Sequence, residues 1–193
     1  VTTLTVSAHK FHGPKGIGAL LVRRHTKLRP LFLGGQQQQA KRPGTEPVPL
    51  VVGMAKALEW SLQHLEANRV KLLDLRARFL GYLRANADPV ILNGPDEGGL
   101  PHALNLSFPG CQADALLMSL DLAGVACSTG SACSSGSLLP SPVLAAMHIT
   151  GDRLNSAMRF SLSPLLSGAE VDEAACRIAQ CVKQLRHAQI EAY

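Results

Sequence analysis

The pattern of apolar and polar residues predicts strands and helices in alternation. Apolar residues alternate with threonine at residues 1–6, and a short apolar run follows at 18–22, so both segments are predicted to be strands. Glycine, proline and four consecutive glutamines at 33–45 indicate a loop. Apolar residues then recur at helical spacing over 51–83, which predicts a long helical region.

The second half of the chain continues in shorter segments. Residues 102–108 and 157–162 are predicted to be strands, and residues 113–122 and 142–147 are predicted to be helices. This alternation favours an α/β layer arrangement over an all-helical bundle.

A capping box, Ser167-Gly168-Ala169-Glu170, predicts the start of the last helix. In this motif the serine and glutamate side chains satisfy backbone donors of the first turn that have no partner within the helix. An apolar stripe follows at helical spacing: Val171, Ala175, Ile178, Val182 and Leu185.

Composition narrows the class of protein. With 46% hydrophobic and 17% charged residues, the 193-residue chain has the composition of an ordinary globular protein with a core. No apolar run is long enough to cross a bilayer, and we do not expect a charged-then-apolar signal segment at the start. The net charge of +5 is scattered and aromatic residues make up only 4%, so we predict neither nucleic-acid nor membrane binding. A solvated basic face is the preferred interpretation, and attraction to an acidic partner protein is the lesser alternative.

The five cysteines stand at positions 111, 127, 133, 176 and 181. The count is odd and no C-x-x-C pair occurs, so neither a disulfide framework nor a metal site is predicted. A reducing, cytoplasmic location fits this usage.

Lys10 follows the first predicted strand, within the run Ser7-Ala8-His9-Lys10 and just before a glycine-rich stretch. A lysine at a strand end beside hydroxyl and imidazole groups can carry pyridoxal 5'-phosphate (PLP) covalently. Taken alone, the block is more typical of a solvated lysine at the end of a strand. The glycine spacing matches neither a P-loop nor a dinucleotide fingerprint.

Cys133 lies among small residues at 127–137, where little bulk is available to bury it. A lone cysteine is commonly a small core residue, but this surrounding predicts an exposed, mobile nucleophile. Cys127, at the entry of the same stretch, is predicted to be structural, and the remaining cysteines are predicted to be packing residues. Arg159 interrupts an apolar strand, and an arginine half-buried there needs either a structural carboxylate or a ligand.

The three segments around Lys10, Cys133 and Arg159, taken in this order, resemble the PLP-dependent cysteine desulfurases, which are class V aminotransferases. The resemblance is to the branch that serves nitrogenase and iron–sulfur cluster assembly. The resemblance covers nearly the whole chain. It implies an α/β, aspartate-aminotransferase-like PLP fold (fold type I). Residues 1–48 would end the large PLP-binding domain, and residues 49–193 would form an interdomain helix and the small C-terminal domain with the cysteine loop.

The resemblance also implies roles at the cofactor. Lys10 would bind PLP covalently and move protons during the reaction, and Ser7 and His9 would contact the cofactor phosphate. Thr45 would reach the phosphate held by the neighbouring subunit, which requires a homodimer with shared active sites.

For the substrate, the resemblance implies that Arg159 grips the α-carboxylate of L-cysteine. Cys133 would take the substrate sulfur as a persulfide, leaving L-alanine, and would pass the sulfur to an acceptor or scaffold protein.

Two departures from the family accompany the resemblance. Pro164-Leu165-Leu166-Ser167 replaces the family's basic or aromatic residue and Thr-Thr pair. The family's ring-stacking group, pyridine-nitrogen partner and main phosphate loop precede the lysine, so the chain, which begins within a strand, is expected to be the C-terminal half of a longer enzyme and inactive alone. Two alternatives remain: another PLP lyase or aminotransferase of this fold, such as a selenocysteine lyase, or a non-enzymatic sulfur-relay or scaffold protein.

Overall fold

The computed structural model describes residues 1–129 and 141–190 of the chain. The chain divides after Leu65 into two compact units. The predicted domain boundary between residues 48 and 49 refers to the whole protein and stays a prediction.

The first unit opens with an antiparallel hairpin. Strand β1 (Thr3–Ser7) pairs with β2 (Gly18–Val22) in a register that runs from Thr3 opposite Val22 to Ser7 opposite Gly18. Both strands were predicted from the apolar pattern and are confirmed. Between them, Ala8–Phe11 form one turn of 3₁₀ helix that the sequence did not indicate.

The segment after β2 is largely irregular, as predicted. It contains a single helical turn, α1 (Gln37–Ala40), in which Gln38 and Gln39 have left-handed backbone angles. Helix α2 (Val48–Gln63) then begins with a proline in its first turn. Proline is tolerated there because the N–H groups of the first turn have no acceptor within the helix. The single helical region predicted at 51–83 is therefore two helices, interrupted at His64.

The second unit begins in α3 (Leu65–Asn86) and contains a four-stranded sheet. Its strands are β3 (Ile91–Leu92), β4 (Ala103–Ser107), β5 (Ser128–Thr129) and β6 (Ala157–Ser161). Their order is β3-β4-β6-β5, and each neighbouring pair is antiparallel. The other helices are α4 (Ala113–Leu122), α5 (Pro142–Ala146), α6 (Gly151–Asn155) and α7 (Gly168–Ile190).

The core of the second unit lies between one face of the sheet and helices α3, α4 and α7. Alternate residues of β4 and β6 face it: Leu104, Leu106, Met158 and Phe160. The Phe160 ring lies 5.4 Å from the Phe79 ring and 6.2 Å from the Phe108 ring, measured between centroids. Each such buried side chain contributes about 1.5–3 kcal/mol to folding.

Helix α7 closes this core, and the structure confirms its predicted start. Glu170 N donates to Ser167 Oγ at 3.2 Å, and Ser167 N donates back to Glu170 Oε2 at 2.7 Å. Val171, Ala175, Ile178 and Val182 of the predicted stripe are all buried. In the described ranges, none of the helices is long and apolar enough to cross a membrane.

Candidate active site

Lys10 lies in a tight turn that leaves the end of β1. Ala8 is fully buried and anchors the turn, because Ala8 N donates to Ile17 O and Ala8 O accepts from Gly13 N at 2.8 Å. A Cβ on Gly13 would come within 2.9 Å of Ala8 Cβ, so the turn requires glycine at this position. His9 and Lys10 are exposed on the turn, and Ser7 is half-buried at its start.

Helix α2 packs against the same turn within the first unit. Ser61 Oγ donates to Phe11 O at 3.5 Å, and the Trp60 ring meets the His12 ring edge-on at 6.2 Å between centroids. The ring of Pro14 lies 3.1 Å from the position of a Cβ built on Gly53, so the helix approaches closely. The turn that carries Lys10 is therefore braced by a sixteen-residue helix.

The residues of the turn fit PLP in their chemistry. The Lys10 amine is exposed, and among the described residues it makes neither a hydrogen bond nor an ion pair. The Ser7 hydroxyl and the His9 imidazole are donors suited to a phosphate. Thr45 is exposed just before α2, and no hydrogen bond joins it to the Lys10 turn in the part of the chain described. The roles of these four residues stay predictions.

Arg159 stands at the middle of β6, on the sheet face opposite the core. Its register partners are Asn105 on β4 and Ser128 on β5, so it lies between two polar residues. The side chain is half-buried, and within residues 1–129 and 141–190 its guanidinium has no hydrogen-bond or ion-pair partner. A half-buried guanidinium in this state is suited to an anionic ligand.

Three polar residues missed by the sequence analysis lie on the same side of the sheet. Arg153 Nε donates to Asn93 Oδ1 at 2.7 Å, and Asn93 Nδ2 donates to Asn105 Oδ1 at 2.8 Å. An available sequence signal was Asn105 itself, a polar residue in the otherwise apolar strand predicted at 102–108. Asn93 and Arg153 gave no signal, because they lie in short segments without periodicity.

The described cysteines are poor nucleophiles where they are buried. Cys133 lies outside the described residues. Burial, with a smaller contribution from the Asp121 carboxylate, raises the pKa of the half-buried Cys127 thiol to about 11. Cys111 and Cys181 are buried within the core cluster, as predicted for packing residues, and this burial raises the pKa of each thiol. The fourth, Cys176, is half-buried on α7.

A cavity of about 350 Å³ lies on the core side of the sheet, and its lining is mainly apolar but includes Glu170, Glu173 and Arg177. Phe79, Phe160 and Ile178 line it, together with Val125 and Ala126 from the segment that precedes Cys127. Arg159 points to the other face, so we do not assign this cavity to an anionic substrate.

Known proteins are similar to this chain in sequence and in fold. The family model described as Aminotransferase class-V matches residues 1–173. The chain belongs to this family. This match confirms, at the level of the family, the resemblance deduced from the segments around Lys10, Cys133 and Arg159. Class V aminotransferases are PLP-dependent proteins.

Curated relatives of this class V chain carry the name cysteine desulfurase. One from Bradyrhizobium diazoefficiens is 43% identical over 186 residues, covering 96% of this chain and 47% of the relative. The putative cysteine desulfurase IscS 1 of Bacillus subtilis is 44% identical over 96% of this chain and 49% of its own length. The chain thus spans about half the length of the curated relatives it matches.

Solved structures confirm the predicted fold class, a mixed α/β fold of the aspartate-aminotransferase type. A NifS-like protein that is 32% identical superposes on this chain with a TM-score of 0.85. The superposition covers 95% of this chain and 47% of the NifS-like chain. A NifS-like protein from Rickettsia africae, 23% identical, has a TM-score of 0.84 over 95% of this chain and 48% of that one, and supports the fold alone.

Proposed function

We propose that the full-length protein is a PLP-dependent cysteine desulfurase that converts L-cysteine to L-alanine and delivers the sulfur. The observation that carries the proposal is the half-buried Arg159 guanidinium, which has no partner among the described residues and faces away from the core. The relatives named cysteine desulfurases, matched over 96% of this chain, support cysteine as the molecule that supplies the carboxylate.

The turn after β1 would hold the cofactor. The Lys10 amine would attach it covalently, and the Ser7 hydroxyl and His9 imidazole would donate hydrogen bonds to its phosphate. Bound PLP supplies an electron sink for negative charge that develops on the substrate. Displaced by the substrate amine, Lys10 Nζ would take the proton from the substrate Cα and act as general base.

Arg159 would orient the substrate. Its planar guanidinium can donate two parallel hydrogen bonds to one carboxylate, which sets both the position and the rotation of the amino acid. This contact would orient the substrate so that its sulfur is presented to the nucleophile.

Cys133 would perform the sulfur transfer as a thiolate. Its sulfur attacks the substrate sulfur, an S–S bond forms and the Cβ–S bond breaks. The electron pair of the broken bond stays on Cβ, which takes up a proton and becomes a methyl group, and Lys10 Nζ returns a proton to Cα to complete L-alanine. The product on the enzyme is a Cys133 persulfide, with no external oxidant or reductant required.

The wider setting is part of the same proposal. Thr45 is exposed ahead of α2, where it could serve the phosphate site of a second subunit in a homodimer. The described cysteines are free thiols, which agrees with a cytoplasmic location. The persulfide sulfur would pass to an acceptor or scaffold protein of iron–sulfur cluster assembly. Residues 1–48 would complete a large domain, and the remainder would form the small one.

Persulfide trapping in the full-length, PLP-loaded enzyme tests the proposal. We expect Cys133→Ser to abolish the persulfide and alanine release while cysteine still binds, and the matched Cys127→Ser variant to keep both. A persulfide that survives in Cys133→Ser and is lost in Cys127→Ser would show that Cys127, and not Cys133, is the nucleophile.

The same preparations distinguish the alternatives. Selenide release that persists in Cys133→Ser would indicate a selenocysteine lyase, because that reaction needs no loop thiol. A purified protein without the visible absorbance of PLP would indicate a relay or scaffold protein.

A further inference from the structure

Asn105 and Arg159 form a directly opposed pair on adjacent antiparallel strands. Opposed residues point to the same face of a sheet, with Cβ atoms about 4.5–5.5 Å apart. Both side chains are half-buried, and both lie on the face away from the core. A group bound by Arg159 on this face therefore lies on the same side of the sheet as the Asn105 amide.

The hydrogen bonds leave a single orientation for that amide. Arginine has only donors, so Asn93 Oδ1, 2.7 Å from Arg153 Nε, must be an acceptor. Asn93 Nδ2 is then the donor to Asn105 Oδ1 at 2.8 Å and to Ser107 Oγ at 2.6 Å. Asn105 Oδ1 must therefore accept, although oxygen and nitrogen of an amide are otherwise hard to tell apart.

This orientation turns the NH₂ group of Asn105 away from Asn93. In the described ranges Asn105 Nδ2 makes no hydrogen bond, and neither does the Arg159 guanidinium. The pair thus presents only donors, and this set is complementary to an anion with several acceptor positions. The opposite orientation would place two NH₂ groups against each other at the Asn93 contact.

We propose that Asn105 Nδ2 donates a further hydrogen bond to the substrate α-carboxylate held by Arg159, and that Arg153 keeps the amide in this orientation through Asn93. Asn105 is then a substrate-binding residue, and Arg153 and Asn93 are positioning residues. The inference rests on the proposed role of Arg159 in binding the carboxylate of L-cysteine.

The anchor of this chain of hydrogen bonds is held firmly. Arg153 Nη2 donates to Leu92 O at 3.3 Å, and Arg153 O accepts from Ser107 Oγ at 2.5 Å. Asn93 is buried, with 8% of its surface exposed. A buried amide held by a charged donor is costly to reorient, so the arrangement is set before the ligand arrives.

The test measures binding of L-cysteine to the full-length, PLP-loaded protein in a Cys133→Ser background, where bound cysteine is not consumed. Asn105→Asp keeps the shape of the side chain and the acceptor for Asn93, but it places a carboxylate where the NH₂ group stood. We expect the Kd for L-cysteine to rise tenfold or more, while the Kd for cysteamine, which has no carboxylate, stays unchanged.

Matched variants complete the experiment. Asn86→Asp makes the same chemical change at a half-buried asparagine on α3, whose Nδ2 donates to Tyr82 O, and should leave cysteine binding unchanged. Arg153→Met should weaken cysteine binding less than Asn105→Ala does and cause no further loss when combined with it. A loss that adds fully in the double variant would show that Arg153 acts independently, and the positioning part would be wrong.

Arg159→Lys separates failure of this inference from failure of the proposed function. Weakened binding in Arg159→Lys but normal binding in Asn105→Asp would overturn the inference alone. Normal binding in both would overturn the carboxylate role of Arg159 as well. Equal weakening for cysteine and cysteamine would mean a structural effect and would also overturn the inference. Should Asn105→Asp lower the unfolding midpoint, the uncharged Asn105→Ala variant decides by the same criteria.

Discussion

The thiol of Cys127 shows how a single residue's surroundings decide its chemistry. Burial and the neighbouring Asp121 carboxylate both disfavour the thiolate, and together they raise the pKa to about 11. At pH 8 only about one thiol in a thousand is then ionised, and only the thiolate reacts.

We predict that iodoacetamide modifies Cys127 of the native protein very slowly at pH 8, and about tenfold faster for each pH unit up to about 11. Peptide mass spectrometry after timed quenching measures the rate, and the unfolded protein at pH 8 provides the reference. A slow rate that does not change with pH would mean that access, and not ionisation, protects the thiol. Rapid modification at pH 8 would contradict the raised pKa.

At the scale of elements, the end of α7 is tied to the rest of the second unit by Arg186. Its guanidinium donates to four backbone carbonyl oxygens: Pro109 O at 2.9 Å, and Ala87 O, Asp88 O and Pro89 O at 2.8 Å each. One side chain therefore fixes the segment after α3 and the segment after β4 to the last helix.

We predict that Arg186→Met lowers the free energy of unfolding by about 2–4 kcal/mol, because part-buried carbonyls lose charged donors while the apolar stem is kept. Denaturant titration followed by circular dichroism measures the change. Lys183→Met, an exposed position on the same helix, is the control and should change stability by less than about 0.5 kcal/mol. Equal effects of the two substitutions would contradict the role of the guanidinium.

The elements that the sequence predicted well are those with enough residues to show a period. Helix α4 has the predicted bounds, and α7 begins at the predicted capping box and carries the predicted apolar stripe. Strands β3 and β5 have two residues each, so no alternation could reveal them. Antiparallel pairing was not predicted either, since it depends on contacts between distant segments.

The residues of the candidate site differ in the same way: some could be found from local sequence, and others only from the fold. Lys10 and Arg159 were found because each stands out in its local sequence. Lys10 is a lysine at the end of a strand beside hydroxyl and imidazole groups, and Arg159 is a charged residue within an apolar strand. The orientation of Asn105 depends on Arg153, which is 48 residues away in sequence, and only the folded sheet brings them together. Register, not local pattern, therefore determines which donors lie together on this face of the sheet.

At the scale of the whole molecule, we predict that the 193-residue chain alone releases no sulfide from L-cysteine above a Lys10→Ala control. The chain spans about half the length of its curated relatives, and a site that lacks part of its constellation loses most of its rate. Methylene-blue detection of sulfide, with the full-length enzyme as positive control, measures this. Lys10-dependent release by the chain alone would contradict the expectation.

The two units should also differ in local stability when the 193-residue chain is studied alone. Among the buried apolar side chains of the described residues, Ala8 is the single one in the first unit, whereas most of those of the second unit form one continuous cluster between sheet and helices. A two-stranded hairpin with Leu4, Leu20 and Leu21 about half exposed gains little from burial. We therefore predict that amides of β1 and β2 exchange with deuterium at least about a hundredfold faster than those of β4 and β6, measured by mass spectrometry at neutral pH. The central strands of the second sheet serve as the internal control. Equal protection of the two sheets would mean that the first unit draws its stability from contacts other than its own buried side chains.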